Sequence, residues 1–244
     1  MELGRELRAA LRGGRQVAVF SGAGISAESG VPTFRDAQKG LWARFDPMEL
    51  ASPEGFERNP KRVWDWYAMR RQQLQQVQPN PGHYALARWE RLRPGLKVVT
   101  QNVDGLHQRA GNSDVIELHG NISRVRCSLE NVIVEQWEER PDEVPRCGQC
   151  AAYLRPDVVW FGELLPPEAY ARAQEVMATA DLVLVVGTSA LVQPAAQLPY
   201  IALRAGAVVV EVNPEETPFS ADATFSVRGP AGVVLPAMVE AIAD

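Results

Sequence analysis

The feature that most constrains the fold is a set of four short apolar runs, each followed directly by small or polar residues. Runs of this length, rich in β-branched residues, are typical of buried strands. They cover residues 17–20, 97–100, 182–186 and 207–212. Helical stretches separate them, and strands that alternate with helices predict a parallel sheet with right-handed crossovers. The sequence therefore predicts an α/β protein with a Rossmann-like parallel sheet as its core.

The polar residues after these runs are the first candidates for a binding site. In open parallel sheets, ligands bind just beyond the carboxyl ends of the strands. Since all four runs end in such residues, we expect the four clusters to gather at one edge of the sheet. The clusters are Ser21-Gly22-Ala23-Gly24, Gln101-Asn102, Gly187-Thr188-Ser189 and Asn213-Pro214.

Two stretches interrupt the alternation of strands and helices. Residues 37–78 carry aromatic and charged side chains at helical spacing, bounded by proline, and residues 126–155 carry the cysteines. We interpret both as insertions that together form a small lobe. The predicted organisation is a single domain over residues 1–244. Its Rossmann-like core covers 1–36, 80–125 and 156–244, and its small lobe covers 37–79 and 126–155.

Composition excludes several classes of function. The formal net charge is -5, so nucleic acid is not expected as a main partner. No apolar run approaches the roughly 20 residues of a membrane span. The three cysteines are an odd number with two close together, which fits a reducing compartment or a metal better than disulfides. We therefore expect a cytoplasmic protein that does not contact membranes.

The loop after the first run fits a glycine-rich phosphate-binding pattern. Gly22, Ala23 and Gly24 would let the backbone approach a pyrophosphate, and amide groups up to Ser26 could donate hydrogen bonds to it. The alternative is a tight turn between a strand and a helix. No Asp or Glu ends a second strand about 20 residues on, which argues against an ordinary dehydrogenase.

Longer segments carry a family resemblance. The segment GAGISAESGVPTFRD at residues 22–36 resembles the signature of the sirtuins. So do QNVDGLH at 101–107, LHG at 118–120, GTS at 187–189 and NP at 213–214. The matches follow the family order over nearly the whole chain. What the resemblance implies about substrate and reaction goes beyond what spacing alone indicates.

The resemblance implies an enzyme that consumes NAD and removes acyl groups from lysine side chains of proteins or peptides. In sirtuins the acyl oxygen attacks the ribose carbon as its bond to nicotinamide breaks. A histidine then deprotonates a ribose hydroxyl, which attacks the acyl carbon. The products are free lysine, nicotinamide and O-acyl-ADP-ribose.

The family's NAD-binding positions carry over to several loops of this chain. The cluster at 101–104 would surround the nicotinamide and its ribose, and a loop at 33–35 would cover the cofactor. Ser189 and Asn213 would face the adenosine half, with Ala231 near adenine. The alternative for each is an ordinary loop residue. The full set is Gly22, Ala23, Gly24, Ser26, Thr33, Phe34, Arg35, Gln101, Asn102, Asp104, Gly187, Thr188, Ser189, Asn213 and Ala231.

The chain has three histidines, and the family match selects one of them as the base. His119 precedes Gly120 at the end of a predicted strand over residues 115–118, and it occupies the position of the family's catalytic base. Histidine is the side chain most easily set as a base near neutral pH. We interpret His107 as structural and His83 as a residue of a helix start.

Two further segments resemble the substrate-binding parts of sirtuins. The segment VWFGE at 159–163 resembles the one that pairs with the substrate backbone, which assigns Val159, Phe161 and Gly162 to substrate binding, with Val192 in the facing loop. The alternative for this segment is a plain strand.

The pair Tyr67 and Arg70 resembles the Tyr-x-x-Arg pattern of sirtuins that accept succinyl- and malonyl-lysine. On a helix this spacing puts both side chains on one face, where a phenol and a guanidinium can receive a carboxylate. The alternative is a pair on a solvated helix face.

The cysteines depart from the family's four-cysteine zinc site. Cys147 and Cys150 form a proper Cys-x-x-Cys pair, but Cys127 is followed three positions on by Glu130. A carboxylate can ligate zinc, so these four residues could still hold one. The alternative is a loop that folds without metal.

Three functions stay open at this point. The first is an NAD-dependent deacylase for acetyl- and succinyl-lysine. The second is an ADP-ribosyltransferase on the same scaffold, which the acyl-pocket pair Tyr67 and Arg70 disfavours. The third is an inactive NAD-binding module, which His119 and the cluster at 101–104 disfavour.

Overall fold

A computed structural model of the chain describes residues 3–32 and 46–243. Within these ranges the core is a six-stranded, all-parallel sheet with strand order β3-β2-β1-β6-β7-β8, and β4 and β5 form a separate antiparallel pair. The strands are β1 (Val17–Ser21), β2 (Lys97–Thr100), β3 (Val115–Glu117), β4 (Gly120–Cys127), β5 (Leu154–Val158), β6 (Leu182–Val186), β7 (Val208–Asn213) and β8 (Phe225–Arg228).

The sheet confirms the predicted α/β class and Rossmann-like core. Residues 97–100 and 182–186 form strands with the predicted bounds. The predicted strands at 17–20 and 115–118 differ by one residue at one end, and the one at 207–212 by one residue at each end. The sequence missed β8, which lies at the edge of the sheet. Its residues alternate between half-buried and exposed, so it carries no continuous apolar run.

Four helices of the described residues begin at a proline preceded by a capping side chain. Asp46, Ser52, Asn59 and Asn80 each accept a hydrogen bond from a backbone N–H of the first helical turn. The helices are α1 (Arg5–Gly13), α2 (Pro47–Leu50), α3 (Pro53–Arg58), α4 (Pro60–Gln76), α5 (Pro81–Leu92), α6 (Leu106–Ala110), α7 (Pro167–Thr179), α8 (Leu198–Arg204) and α9 (Ala231–Ala243).

The central strands bury both faces, as strands of a parallel sheet covered by helices do. In β1, Val17 and Val19 pack with α1, α5 and α9, whereas Ala18 and Phe20 pack with α7 and α8. This alternation explains why the central runs are apolar at every position. No helix of the described ranges has both the length and the apolar character needed to cross a membrane.

The two insertions share an apolar core. Side chains of α2, α3 and α4 pack with Ile122 of β4 and Val158 of β5. Trp64 of α4 packs with Cys127 and Cys147. The contacts of Trp64 join the two predicted insertions, whereas Ile122 and Val158 lie in the ranges predicted for the core. Strand β4 runs across the boundary predicted at residue 125, so the division between core and lobe stays a prediction.

Candidate active site

The four polar clusters meet at the carboxyl edge of the sheet, as the sequence predicts. The Gln101 backbone N–H donates to the Ser21 carbonyl at 3.0 Å, and Gln101 Nε2 donates to Thr188 Oγ1 at 2.9 Å. Asn213 Nδ2 donates to the Thr188 carbonyl at 3.1 Å. Thr188 therefore links the clusters that follow β2 and β7.

The glycines after β1 and β6 allow two loops to touch backbone to backbone. The Gly24 N–H donates to the Gly187 carbonyl at 2.7 Å. A Cβ on Gly24 would lie 2.7 Å from the Gly187 Cα, and Gly187 has a φ of +60°. The tight-turn interpretation of these glycines therefore accounts for part of the pattern, and phosphate binding stays a prediction.

A buried polar network lies behind the loop after β1. Ser26 Oγ donates to Asp104 Oδ2 at 2.7 Å, and Asn102 Nδ2 donates to Ser26 Oγ at 3.2 Å. The Leu106 N–H donates to the other Asp104 oxygen at 3.0 Å. Burial raises the pKa of the Asp104 carboxyl above its usual value. Ser26 is fully buried and hydrogen-bonds Asn102 and Asp104, and its contact with a cofactor stays a prediction.

His119 lies between β3 and β4 with one ring nitrogen already bonded. Its Nδ1 is 2.9 Å from the Gln101 carbonyl oxygen. Because a carbonyl only accepts, Nδ1 carries the proton and Nε2 is left as the basic nitrogen. Burial lowers the pKa of His119, so the ring is neutral at neutral pH. The His119 carbonyl accepts a hydrogen bond from the Val159 N–H at 3.0 Å, which joins His119 to the predicted peptide-binding segment at 159–163.

Gly120 is required beside His119 for a steric reason. Its φ is +78°, and an added Cβ would lie 2.1 Å from the Asp157 carbonyl oxygen. A side chain here would push β4 away from β5.

The other two histidines occupy buried positions. His83 is at the start of α5, where its Nδ1 accepts from the Asn80 N–H at 3.3 Å, which confirms the predicted helix-start position. His107 Nε2 is 2.9 Å from Ser21 Oγ. Burial lowers the pKa of His83 to about 4 and that of His107 to about 3, so both rings are neutral at neutral pH.

Tyr67 and Arg70 lie on α4, as their spacing predicts. Tyr67 is buried and Arg70 is half-buried. Burial raises the pKa of Tyr67, so its hydroxyl stays protonated. Burial lowers the pKa of Arg70, and the neighbouring Tyr67 and Asp104 oppose that shift. The pair is therefore not on a fully solvated face.

The segment at 159–163 follows β5 and lies outside the strands of the described ranges. Phe161 is 45% exposed and Val192 in the other loop is 50% exposed, whereas Trp160 is 3% exposed. Gly162 has a φ of +89°. No motif pointed to Tyr67 and Phe56 as the distant aromatic side chains that contact Trp160.

Some of the remaining predicted NAD-binding positions lie in the described residues and others lie outside them. Ser189 and Asn213 are half-buried at the sheet edge, and Ala231 is the buried first residue of α9. Thr33, Phe34 and Arg35 lie outside the described residues.

The three cysteines come together. Their Sγ atoms all lie within 4.8 Å of one another, and those of Cys127 and Cys150 are 3.4 Å apart. Backbone N–H groups of Cys150 and Gln149 lower the pKa of Cys147. Three thiols this close fit part of a tetrahedral zinc site.

Glu130 has its side chain outside the cluster of three thiols. Its backbone N–H donates to Cys127 Sγ at 3.4 Å. Its side chain is exposed, and among the described residues it is not within the group of candidate ligands.

The comparisons with known proteins agree with this geometry. A family model described as the Sir2 family matches residues 22–194. An NAD-dependent protein deacylase of Methylococcus capsulatus is 48% identical over 250 residues, covering 99% of this chain and 98% of the relative. One of Mycobacterium tuberculosis is 52% identical over 231 residues, covering 92% and 97%. A solved complex of a Sir2 homologue with NAD is 44% identical with a TM-score of 0.93, covering 99% of this chain and 94% of the other. The chain belongs to the Sir2 family.

Proposed function

We propose that this protein is an NAD-dependent protein-lysine deacylase that accepts acetyl and succinyl groups, transfers them to ADP-ribose and releases nicotinamide. The observation that carries the proposal is the protonation state of His119. Its side chain is a neutral imidazole whose Nδ1–H donates a hydrogen bond to the Gln101 carbonyl, so Nε2 is the nitrogen that can accept a proton. It lies where the polar clusters of a Sir2 chain meet, and the relatives above are named as NAD-dependent protein deacylases.

His119 fits the role of a general base. NAD supplies a ribose carbon that accepts the acyl oxygen when the bond to nicotinamide breaks. His119 Nε2 then takes the proton of a ribose hydroxyl, because no hydrogen bond from the described residues occupies its lone pair and its lowered pKa keeps it unprotonated. The bond from Nδ1 to Gln101 fixes the ring in one tautomer throughout.

Three polar side chains fit the nicotinamide end of the cleft. Gln101 is held by Thr188, and Asn102 and Asp104 are held by Ser26, so their positions are set before a ligand arrives. Amides can both donate and accept, and a carboxylate can bind an amide or stabilise a developing cation. Pre-positioned groups of this kind cost little reorganisation during the reaction.

Tyr67 and Arg70 fit the recognition of a dicarboxylic acyl group. A protonated phenol can donate to one carboxylate oxygen, and a guanidinium can bind both. A hydrogen bond to a charged partner contributes roughly 1.5–3 kcal/mol, so two such bonds favour succinyl-lysine by tenfold or more. An acetyl group has no carboxylate for this pair to bind, but it leaves Arg70 solvated and is not excluded from the pocket. Deacetylation is therefore expected to persist.

The partners, the peptide-binding residues and the cellular location are also proposals. Proteins or peptides that carry acyl-lysine are the proposed partners, with Val159, Phe161, Gly162 and Val192 binding their backbone. Free cysteines at 127, 147 and 150 suit a reducing compartment, which supports a cytoplasmic location.

The reaction type is tested by nicotinamide release from NAD, measured with and without an acyl-lysine peptide. We expect release to depend on the peptide and to match the O-acyl-ADP-ribose formed. Release without the peptide, with ADP-ribose attached to a protein, would instead support an ADP-ribosyltransferase.

The acyl preference is tested by Arg70→Met. We expect desuccinylation to fall tenfold or more relative to deacetylation, because the carboxylate loses its charged partner. Lys61→Met is the matched control, because Lys61 lies on the same helix and pairs with Asp65 instead. Equal loss of both activities in Arg70→Met would argue against the pocket.

A further inference from the structure

Trp160 joins the proposed peptide-binding segment to the proposed acyl pocket. Its indole Nε1–H donates a hydrogen bond to the Tyr67 hydroxyl oxygen at 3.0 Å, between residues 93 positions apart in the chain. Both side chains are buried, with 3% of Trp160 and 4% of Tyr67 exposed. The indole is therefore a neighbour of the phenol and not itself a surface of the cleft.

Arg155 and Glu163 hold the Trp160 ring in place. The Arg155 guanidinium carbon lies 3.4 Å from the centroid of the indole ring. Arg155 Nη2 donates to Glu163 Oε2 and to the Val158 carbonyl, both at 2.9 Å. The same Glu163 oxygen accepts the Trp160 backbone N–H at 2.8 Å. A guanidinium that stacks and pairs at once is a rigid support, so the indole N–H has a fixed direction.

This direction determines where the Tyr67 proton points. A phenol O–H lies close to the plane of its ring, which gives it two preferred orientations. An N–H that approaches the oxygen from one side makes that side unfavourable for the phenol proton, and it also strengthens the phenol as a donor. Tyr67 is thus a donor whose proton is oriented before a ligand arrives.

We propose that Trp160 is a positioning residue for acyl selection: by donating to Tyr67 it turns the phenol proton towards the carboxylate of a dicarboxylic acyl group and so raises the preference for succinyl- over acetyl-lysine. The inference rests on the proposed function, since it requires Tyr67 and Arg70 to receive that carboxylate. Trp160 touches no reacting atom in this account and acts through Tyr67.

Trp160→Phe tests the proposal, because it keeps an aromatic ring and removes the N–H. We expect the ratio of kcat/KM for succinyl-lysine over acetyl-lysine peptides to fall about fivefold to tenfold, the usual effect of one hydrogen bond. The fall should come from a higher KM for the succinyl peptide. Trp64→Phe is the matched control: Trp64 lies on the same helix as Tyr67 but stacks on Arg71 near the cysteines, so the ratio should not change.

A second substitution shows whether the effect passes through Tyr67. In a Tyr67→Phe background the indole has no hydroxyl to orient, so adding Trp160→Phe should change the ratio by less than about twofold. An equal loss of both activities in Trp160→Phe, or the same loss of ratio without the Tyr67 hydroxyl, would overturn the inference.

If Trp160→Phe does not fold, indole ¹H–¹⁵N spectra of the unaltered enzyme provide the test. The Trp160 resonance is the indole signal that Tyr67→Phe shifts through loss of the bond. We expect a succinyl-lysine peptide to move it more than an acetyl-lysine peptide does, and equal movement would overturn the inference.

The failure of this inference can be told from failure of the proposed function. An enzyme without desuccinylase activity, or one in which Arg70→Met affects both substrates equally, contradicts the acyl pocket and the inference with it. A desuccinylase that depends on Arg70 and keeps its ratio in Trp160→Phe contradicts the role of Trp160 alone.

Discussion

At the scale of single residues, one backbone contact prepares His119 for its proposed chemistry. The Gln101 carbonyl accepts a hydrogen bond from Nδ1–H, and the turn at Gly120 allows β4 to begin directly after His119. Among the described residues, the base is thus positioned by a backbone carbonyl of a neighbouring loop of the parallel sheet. Burial keeps the imidazole neutral by lowering its pKa, and the hydrogen bond to the Gln101 carbonyl opposes part of that shift.

His119→Ala is expected to lose deacylation by about 10²–10⁴, the usual contribution of a positioned base. Some exchange of labelled nicotinamide into NAD should survive, because cleavage of the nicotinamide bond precedes the step that needs the base. The two rates are measured on the same preparation with an acetyl-lysine peptide. Deacylation at the unaltered rate would remove His119 from the mechanism.

Sequence and structure differ most clearly at this scale in what they reveal about partners. His119, Tyr67 and Arg70 could be selected from motifs, since each stands in a short recognisable segment. The bond between Trp160 and Tyr67 could not, because 93 residues separate them and packing of α4 against the segment after β5 brings them together. The roles of the selected residues remain predictions until variants are measured.

At the scale of elements, the loops after β1 and β6 act as one unit. Gly24 and Gly187 touch through their backbones, and neither loop can move aside without breaking the N–H to carbonyl bond of 2.7 Å. The edge of the sheet is therefore assembled by close packing of two glycine-containing loops.

Gly24→Ala is expected to lower the free energy of unfolding by about 1–3 kcal/mol, the usual cost of overpacking, and to raise the KM for NAD. The added methyl group meets backbone atoms that cannot rotate away. Gly13→Ala is the control, because a Cβ there meets nothing within 4 Å and lies in α1. Urea unfolding measures both, and equal stability of the two variants would show that the loops are not in tight contact.

The cysteine-containing segment is a second element with a direct test. We expect about one zinc per chain in the purified protein, as in structural sites with thiolate ligands. Cys147→Ser should lose the metal, and Glu130→Gln should retain it, because the Glu130 carboxylate lies outside the thiol group. Metal analysis of the three proteins decides, and zinc well below one per chain in the unaltered protein would mean that the segment folds without metal.

Strands were predictable to the extent that they are buried on both faces. The central strands carry continuous apolar runs and were located to within a residue. The pair β4 and β5 was not, because its charged residues pair within the fold: Arg124 bonds Asp157 at 2.8 Å and Glu117 at 2.7 Å. Such ion pairs leave no periodic signal in the sequence.

At the scale of the whole molecule, two buried histidines couple folding to pH. The pKa of His83 is about 4 and that of His107 about 3, against a usual 6.5. The folded protein therefore binds fewer protons than the unfolded chain in this window. Their contribution to stability is complete above pH 6.5 and is lost as the pH falls towards the folded values.

His107→Gln isolates this contribution, since an amide can still donate to Ser21 Oγ and does not titrate. Between about pH 6 and pH 4.5, the free energy of unfolding of the unaltered protein should fall more steeply than that of the variant, by about 1.4 kcal/mol per pH unit. Comparing the two slopes cancels groups such as Asp104, whose raised pKa acts in the opposite direction. Parallel slopes would show that His107 is not held neutral by burial.

NAD and an acyl-lysine side chain are expected to meet in one cleft beside His119. A crystal structure of the enzyme with a non-hydrolysable NAD analogue and an acetyl-lysine peptide measures this directly. We predict a ribose hydroxyl within hydrogen-bond reach of His119 Nε2, about 2.6–3.2 Å, with the acyl oxygen facing the adjacent ribose carbon. Both ligands bound with the His119 ring far from the ribose would contradict the account.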